Sequence, residues 1–256
     1  MKITLVRNAT LLVEYCGNRF LVDPVFAKKG ARDPFPCDEH PYERNPIVDM
    51  PISVKEILKR TDAVILTHLH SDHFDAEAAE RLPKDVDMFV QDEQDRRIVE
   101  DYGFKSVETL PLPRKYYGIE LIKTPGRHGE EGMSKEALEE LGNVCGVILH
   151  KPGNKKLYIA GDTVWYEGVA DTLAEYQPDV IVLNAGANRL PEGRLVMDAE
   201  DVLAVHEACP DAVLIAVHME AFNHRVLSRR ELWDFAGEKG FRDKLLIPAD
   251  GEGFTV

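Results

Sequence analysis

Residues 67–75 read THLHSDHFD and directly follow the apolar run DAVIL at 62–66. Three of the chain's nine histidines fall here, with two aspartates. An unbroken apolar strand is buried on both faces. Polar groups placed just after it sit at its C-terminal edge, where α/β sheets hold ligands. His68 and His70 are two apart, so an extended backbone points them the same way. Asp72 and His73 come where a helix is about to start and face a second position nearby. Three imidazoles packed together without an ion would repel on protonation. Neutral imidazoles and carboxylates converging at about 2.0–2.2 Å bind a metal, and that is what this stretch predicts.

Upstream, KITLV, TLLVEY and RFLVDP read as three strands joined by hairpins at Arg7-Asn8 and Gly17-Asn18. Residues 27–52 then form a loop rich in Pro, Gly and charge. A loop that long is seldom passive, and its Phe and Tyr content suits a lid over a pocket. Ser53 and Glu56 form an S-x-x-E capping box that opens a helix. Downstream of the cluster come a helix from Asp75, stopped by Pro83, the strand DMFVQ, and a helix ending near Gly103. The later chain repeats the plan. GIELIKT, NVCGVILH and KKLYIAG are strands, followed by DVIVLNA, a helix from Asp198, AVLIAVH, a helix from Ser228 and LLIPA. Strands first and alternating helices later, twice over, predict an α/β (α+β) fold of two mixed sheets packed together with helices outside. The expected organisation is one domain over 1–256 built of two similar halves, about 1–135 and 136–256.

The chain has 256 residues, 44% of them apolar, and a net charge of −14. That length supports a sizeable core. The acidic balance argues against a polyanion-binding surface, which needs clustered Lys and Arg, though it leaves room for a local basic pocket, so no nucleic-acid partner is expected. No segment reaches the roughly 18 apolar residues of a membrane span. The N-terminal MKITLVRNATLLVEY alternates like a strand and lacks a signal peptide's apolar run, so a cytoplasmic location is expected. Cys16, Cys37, Cys145 and Cys209 are too far apart for a C-x-x-C pair and read as reduced. Cys37 with His40 has metal-binding spacing but no second pair to complete it.

His68, His70, Asp72 and His73 form H-x-H-x-D-H after a hydrophobic strand, and in this the chain resembles the metallo-β-lactamase superfamily. The later features fall in the superfamily's order: His128 in KTPGRHGEEG, Asp162 in YIAGDTVW and His218 in VLIAVHMEAFNH. The resemblance implies a four-layer αβ/βα sandwich with the site at one edge of both sheets. It implies one metal held by His68, His70 and His128, another by Asp72, His73 and His218, and Asp162 bridging them. Five imidazoles with two carboxylates favour a borderline divalent ion, zinc first, with manganese, iron or nickel compatible. Two such ions would share a water, lower its pKa, and give a nucleophile at neutral pH. Asp72 or His224 would carry the proton.

GDTVW, VLNAGA and AVHMEAFNH are similar to the bacterial metal-dependent hydrolases that include the L-ascorbate-6-phosphate lactonase. This implies cleavage of a lactone, ester or phosphodiester in a small soluble substrate. A di-iron redox enzyme on the same ligands, or a metal-binding protein without catalysis, are the alternatives. His224 and, less so, Glu220 are candidates for substrate contact or proton donation. Arg127, Arg189 and Arg194 could meet an anion. Asn184 ends a buried strand, and His150 and His206 read as structural. A homo-oligomer is compatible with the loop at 27–52 serving subunit contacts.

Overall fold

The computed structural model describes residues 1–112 and 115–256. β1 (Lys2–Arg7), β2 (Thr10–Tyr15) and β3 (Asn18–Val22) form the antiparallel meander expected from their turn residues. Asn8 (φ 58°) and Gly17 (φ 85°) supply the left-handed backbone at the two reversals. After α1 (Val54–Lys59), β4 (Ala63–Ile65) joins β3 in parallel. α2 (Ala76–Arg81), β5 (Asp87–Val90), α3 (Glu93–Asp101) and β6 (Ser106–Thr109) extend that sheet by parallel crossovers.

The second sheet begins with β7 (Glu120–Pro125). α4 (Lys135–Leu141) separates it from β8 (Cys145–His150), which pairs with β7 and with β9 (Leu157–Ile159) in antiparallel fashion. Then follow α5 (Glu167–Tyr176), β10 (Val180–Asn184), the small hairpin β11 (Arg189–Leu190) and β12 (Gly193–Arg194), and α6 (Ala199–Ala208). β13 (Val213–Val217), α7 (Arg229–Lys239) and β14 (Leu245–Leu246) complete the sheet. β15 (Gly253–Thr255) returns to pair with β1 of the first sheet. The sheet orders are β15-β1-β2-β3-β4-β5-β6 and β14-β13-β10-β9-β8-β7.

Burial fixes the layering. Leu5, Val13, Phe20, Ile65 and Phe89 on the inner face of the first sheet meet Leu121, Val147, Leu157, Val180 and Ile215 from the second. The outer face of the first sheet packs Val64 and Met88 under Ile57 of α1, Ala78 of α2 and Val99 of α3. That of the second packs Ile181 and Leu214 under Leu173 of α5, Val205 of α6 and Leu232 of α7. The result is a helix–sheet–sheet–helix sandwich. β4 is buried on both faces because alternate residues, Val64 and Ile65, belong to different cores. Among the described residues no helix is long and apolar enough to cross a membrane.

The caps follow the sequence with one difference. Asp75 accepts from Ala78 N at 2.7 Å to start α2, and Ser228 with Glu231 makes both bonds of a capping box at α7. At α1 Ser53 accepts from Glu56 N, but the Glu56 carboxylate turns to Lys59 at 2.8 Å. Only half of that box forms. α4, α5, β6, β15 and the β11–β12 hairpin are elements that the apolar pattern does not signal. α4 has no buried residue, so it leaves no stripe to read.

Candidate metal centre

β3 runs parallel with β4 in the first sheet, β9, β10 and β13 run parallel with one another in the second, and β7 shares the direction of β9 through the intervening antiparallel β8. Polar residues that follow these strands therefore collect at one edge of the sandwich. His68, His70, Asp72 and His73 follow β4, His128 follows β7, Asp162 follows β9 and His218 follows β13. The donor atoms fall into three groups able to hold an ion: His68, His70 and His128; His68, His73 and Asp162; and Asp72, His73 and His218. Asp162 Oδ2 lies 3.2 Å from His73 Nε2, 3.8 Å from His128 Nε2 and 4.0 Å from His68 Nε2. His218 Nε2 is 3.1 Å from His73 Nε2 and 3.3 Å from Asp72 Oδ2. Donors at about 2.1 Å from a tetrahedral ion stand about 3.4 Å from one another, so these separations suit edges of coordination polyhedra.

The outer nitrogens decide the tautomers. Asp23, at the end of β3, accepts from His73 Nδ1 at 2.8 Å and from Thr67 Oγ1 at 2.6 Å. Having given its proton to Asp23, the Thr67 hydroxyl is left to accept from His68 Nδ1 at 3.2 Å. His128 Nδ1 donates to Leu195 O at 3.1 Å, and His218 Nδ1 to Asn188 Oδ1 at 3.2 Å. Four imidazoles thus aim Nε2 lone pairs inward at two carboxylates, and His68 Nε2 is buried without any hydrogen-bond partner. Such a concentration of acceptors calls for a cation, and the donor set fits a divalent metal.

Charge in the metal-free protein obeys the same demand. Burial opposes it, but Asp162 and Asp23 hold His73 well above its ordinary value. Against burial, His73 and His218 keep the Asp162 carboxyl well below the carboxylate range, and His218, His73 and His224 do the same for Asp72. Burial pushes His68 far down, and His128 and His224 to about 4.

The backbone is shaped for these positions. Gly161, before Asp162, has φ 69°, and a Cβ there would stand 2.4 Å from Cys145 O. Asn184 Nδ2 donates to Asp162 Oδ1 at 2.6 Å, so Asn184 aims the carboxylate as well as ending β10. Asn8 ties two segments together, donating from Nδ2 to Asp72 O at 3.0 Å and accepting at its carbonyl from His218 N at 2.9 Å. His218 itself holds φ 60°, an unusual cost for a non-glycine residue.

His224 joins the cluster. Its Nε2 is 3.8 Å from Asp72 Oδ2, and its ring meets Phe35 edge-on at 4.9 Å between centroids. A cavity of about 320 Å³ opens over His70, Asp72, His128, Asp162 and His224. Phe35 and Pro36 from the 27–52 loop, Met133, Ala137 and Leu141 around α4, and Leu190 and Leu195 around the β11–β12 hairpin wall it. The loop is firmly fixed there. Buried Asn223 bonds Phe35 N and O, each at 2.9 Å, and Asn45 Nδ2 at 2.7 Å, while the buried Arg7 guanidinium donates to the Val25, Ala27 and Val48 carbonyls.

The remaining candidates lie elsewhere. Glu220 accepts from Arg229, Arg194 is bound to Glu130, Asp198 and Asp201, and Arg189 reaches Glu130. Arg127 sits over the Tyr166 ring. Cys37 is buried against Asn223, and His40 pairs with Glu43. His150 pairs with Glu120 and His206 stacks on Phe241. Asp23, Asn8 and Asn188 are the residues of the site that sequence reasoning missed. The signal for Asp23 was its place after RFLV, beside a strand already read as a ligand carrier. Nothing comparable marked the two asparagines.

Two mixed sheets flanked by helices, with histidines and aspartates at one shared edge, define a metal-dependent hydrolase of the metallo-β-lactamase fold. The chain belongs to the beta-lactamase superfamily, whose domain model matches residues 18–219. It is 48% identical over the whole of both chains to UPF0173 protein YddR of Bacillus subtilis (strain 168). An isothiocyanate hydrolase from Delia radicum gut bacteria superposes with a TM-score of 0.95 at 40% identity, covering 100% of this chain and 99% of that one. A possible metal-dependent hydrolase from Veillonella parvula DSM 2008 gives 0.96 at 32% identity with the same coverage.

Proposed function

We propose that the chain hydrolyses a small uncharged organic molecule at an electrophilic carbon, isothiocyanates foremost, using two divalent ions, zinc favoured. The lining of the cavity carries this reading. Outside the metal-site side chains its walls are mostly apolar, Glu140 and Glu192 are the charged groups they add, and no Lys or Arg is among the described residues that line it. A phosphate or carboxylate tail lying along the walls, away from the metal ions, would meet carboxylates and no cationic side chain. The 40% identical hydrolase that acts on isothiocyanates supports the same substrate class.

In this reading His68, His70 and His128 would hold one ion, Asp72, His73 and His218 would hold the other, and Asp162, within 4.0 Å of His68, His73 and His128, would serve both. Bound there, the metal supplies an activated water and a Lewis acid for the substrate's heteroatom. Asp72, beside His218 and His224, accepts a proton from the attacking water and returns it to the leaving nitrogen. Phe35 and Pro36, on the lid-like 27–52 loop, exclude bulk water and orient the organic group. The balance is R–N=C=S + H2O → R–NH2 + COS: a C–O bond forms, the C–N bond breaks, and both water protons end on nitrogen.

Esters and lactones of similar size use the same proton path and are the second reading, favoured by the same apolar walls. The test is metal content per chain together with turnover of the zinc-loaded protein on neutral isothiocyanates, lactones and phosphodiesters. Release of amine and COS is expected. Hydrolysis of lactones alone would move the assignment to the second reading, and no turnover with metal bound would overturn both.

A further inference from the structure

We infer that Asn188 is a positioning residue whose single amide fixes the protonated nitrogen of both His218 and His224. Asn188 is 1% exposed. Its Oδ1 accepts from His218 Nδ1 at 3.2 Å, and its Nδ2 donates to His224 Nε2 at 3.3 Å. The inference rests on the reading of His218 as a ligand; the part concerning His224 does not.

The backbone around Asn188 is built for this contact. A Cβ on Gly186 would lie 2.3 Å from Asn188 Oδ1 and 2.3 Å from His218 O, so only glycine lets the amide and the His218 carbonyl approach. Ala187 holds φ 48°, a left-handed conformation that alanine rarely adopts. The close approach at Gly186 and the strained backbone of Ala187 together turn the Asn188 side chain inward. The loop is also locked to the segment that carries His224. Arg189 N donates to His224 O at 2.8 Å, and Val226 N and Leu227 N both donate to Gly186 O. The run GAN at 186–188, too short to cradle a phosphate, is a mount for one amide.

An amide offers one acceptor and two donor hydrogens on opposite arms. With Oδ1 on His218 Nδ1, His218 keeps a lone pair on Nε2, which faces Asp72 Oδ2 at 3.3 Å and His73 Nε2 at 3.1 Å. The reversed amide would place a proton on Nε2 and shut an ion out. With Nδ2 on His224 Nε2, the proton of neutral His224 sits on Nδ1. That atom is buried without a partner, on a ring that lines the cavity. His224 therefore carries its proton on Nδ1, while its Nε2 accepts from Asn188 and stands 3.8 Å from Asp72 Oδ2. Neither Asp nor Ala at 188 reproduces both bonds.

The test is long-range ¹H–¹⁵N NMR of histidine-labelled protein, with and without zinc, alongside zinc affinity by chelator competition. Wild type should show Nδ1–H on His224 in both samples, and on His218 when zinc is bound. In Asn188→Asp the new carboxylate should still accept from His218 but move the His224 proton to Nε2. Asn188→Ala should weaken zinc binding about ten- to a hundredfold, the usual cost of losing a partner behind a ligand. An unchanged His224 tautomer in the Asp variant would overturn the inference, as would wild-type zinc affinity in the Ala variant. If wild type fails to bind zinc, the ligand reading falls and takes the His218 half with it, while the His224 half is still decided by the metal-free spectra.

Discussion

Asp23 Oδ2 accepts from His73 Nδ1 at 2.8 Å, with both side chains almost wholly out of solvent. One carboxylate thereby fixes His73 directly and His68 through Thr67, whose backbone N–H it also accepts at 2.8 Å. Asp23→Asn keeps the shape but loses the charge that matches an imidazole bound to a cation. Zinc affinity should fall about ten- to a hundredfold, read by chelator competition, with the circular dichroism spectrum unchanged. Undiminished affinity would mean that Asp23 serves the fold alone.

Asp72→Ala should leave the sandwich folded, because the side chain makes contacts only within the cluster and its backbone is held by Asn8. Turnover should drop by at least about 10²–10⁴-fold, the range for losing a positioned proton carrier. Steady-state kinetics on the best isothiocyanate reads this, and activity near wild type would sink the proposed role.

The metal-free protein should lose stability as pH falls. His128 and His224 each have a folded value near 4 against an ordinary 6.5, so the unfolded chain takes up protons first. Their contribution is complete above pH 6.5 and is lost progressively down to pH 4. Replacing His224 by Gln should make the urea midpoint less steep in that window. An identical pH dependence in the variant would contradict the assignment.

Asn223→Ala should free the loop from the cavity. It strands the Phe35 N–H, and it removes donors to the Phe35 and His40 carbonyls. Each buried group left unpaired costs on the order of 1–3 kcal/mol. Protease cutting within 27–52 should rise, and KM should rise more than kcat falls. No change in KM would show that Phe35 does not hold substrate.

How much of this was legible in the sequence depended on where a signal is local. The candidate donors were readable because each comes shortly after an apolar strand, and strand ends are where a sheet exposes polar groups. The sandwich was readable because each hydrophobic run had its own turn or helix signal. α4 was not, since KEALEEL buries nothing. The change of sheet also falls earlier than a division near 135, between Thr109 and Glu120, and β15 crosses back. Strand pairing is a long-range choice that composition does not encode. Asn188 escaped for the opposite reason: its partners, His218 and His224, lie 30 and 36 residues away.

Each of the three donor groups draws on both sheets: His68 and His70 with His128, His68 and His73 with Asp162, Asp72 and His73 with His218. An ion in any of them would act as a rivet between two layers that share no backbone ladder. Among the described residues, no fragment carrying one sheet has a complete set of claws, so full loading would come after the two layers have closed. Metal would then also act as an assembly checkpoint, lowering the free energy of the finished sandwich more than that of any state that precedes it.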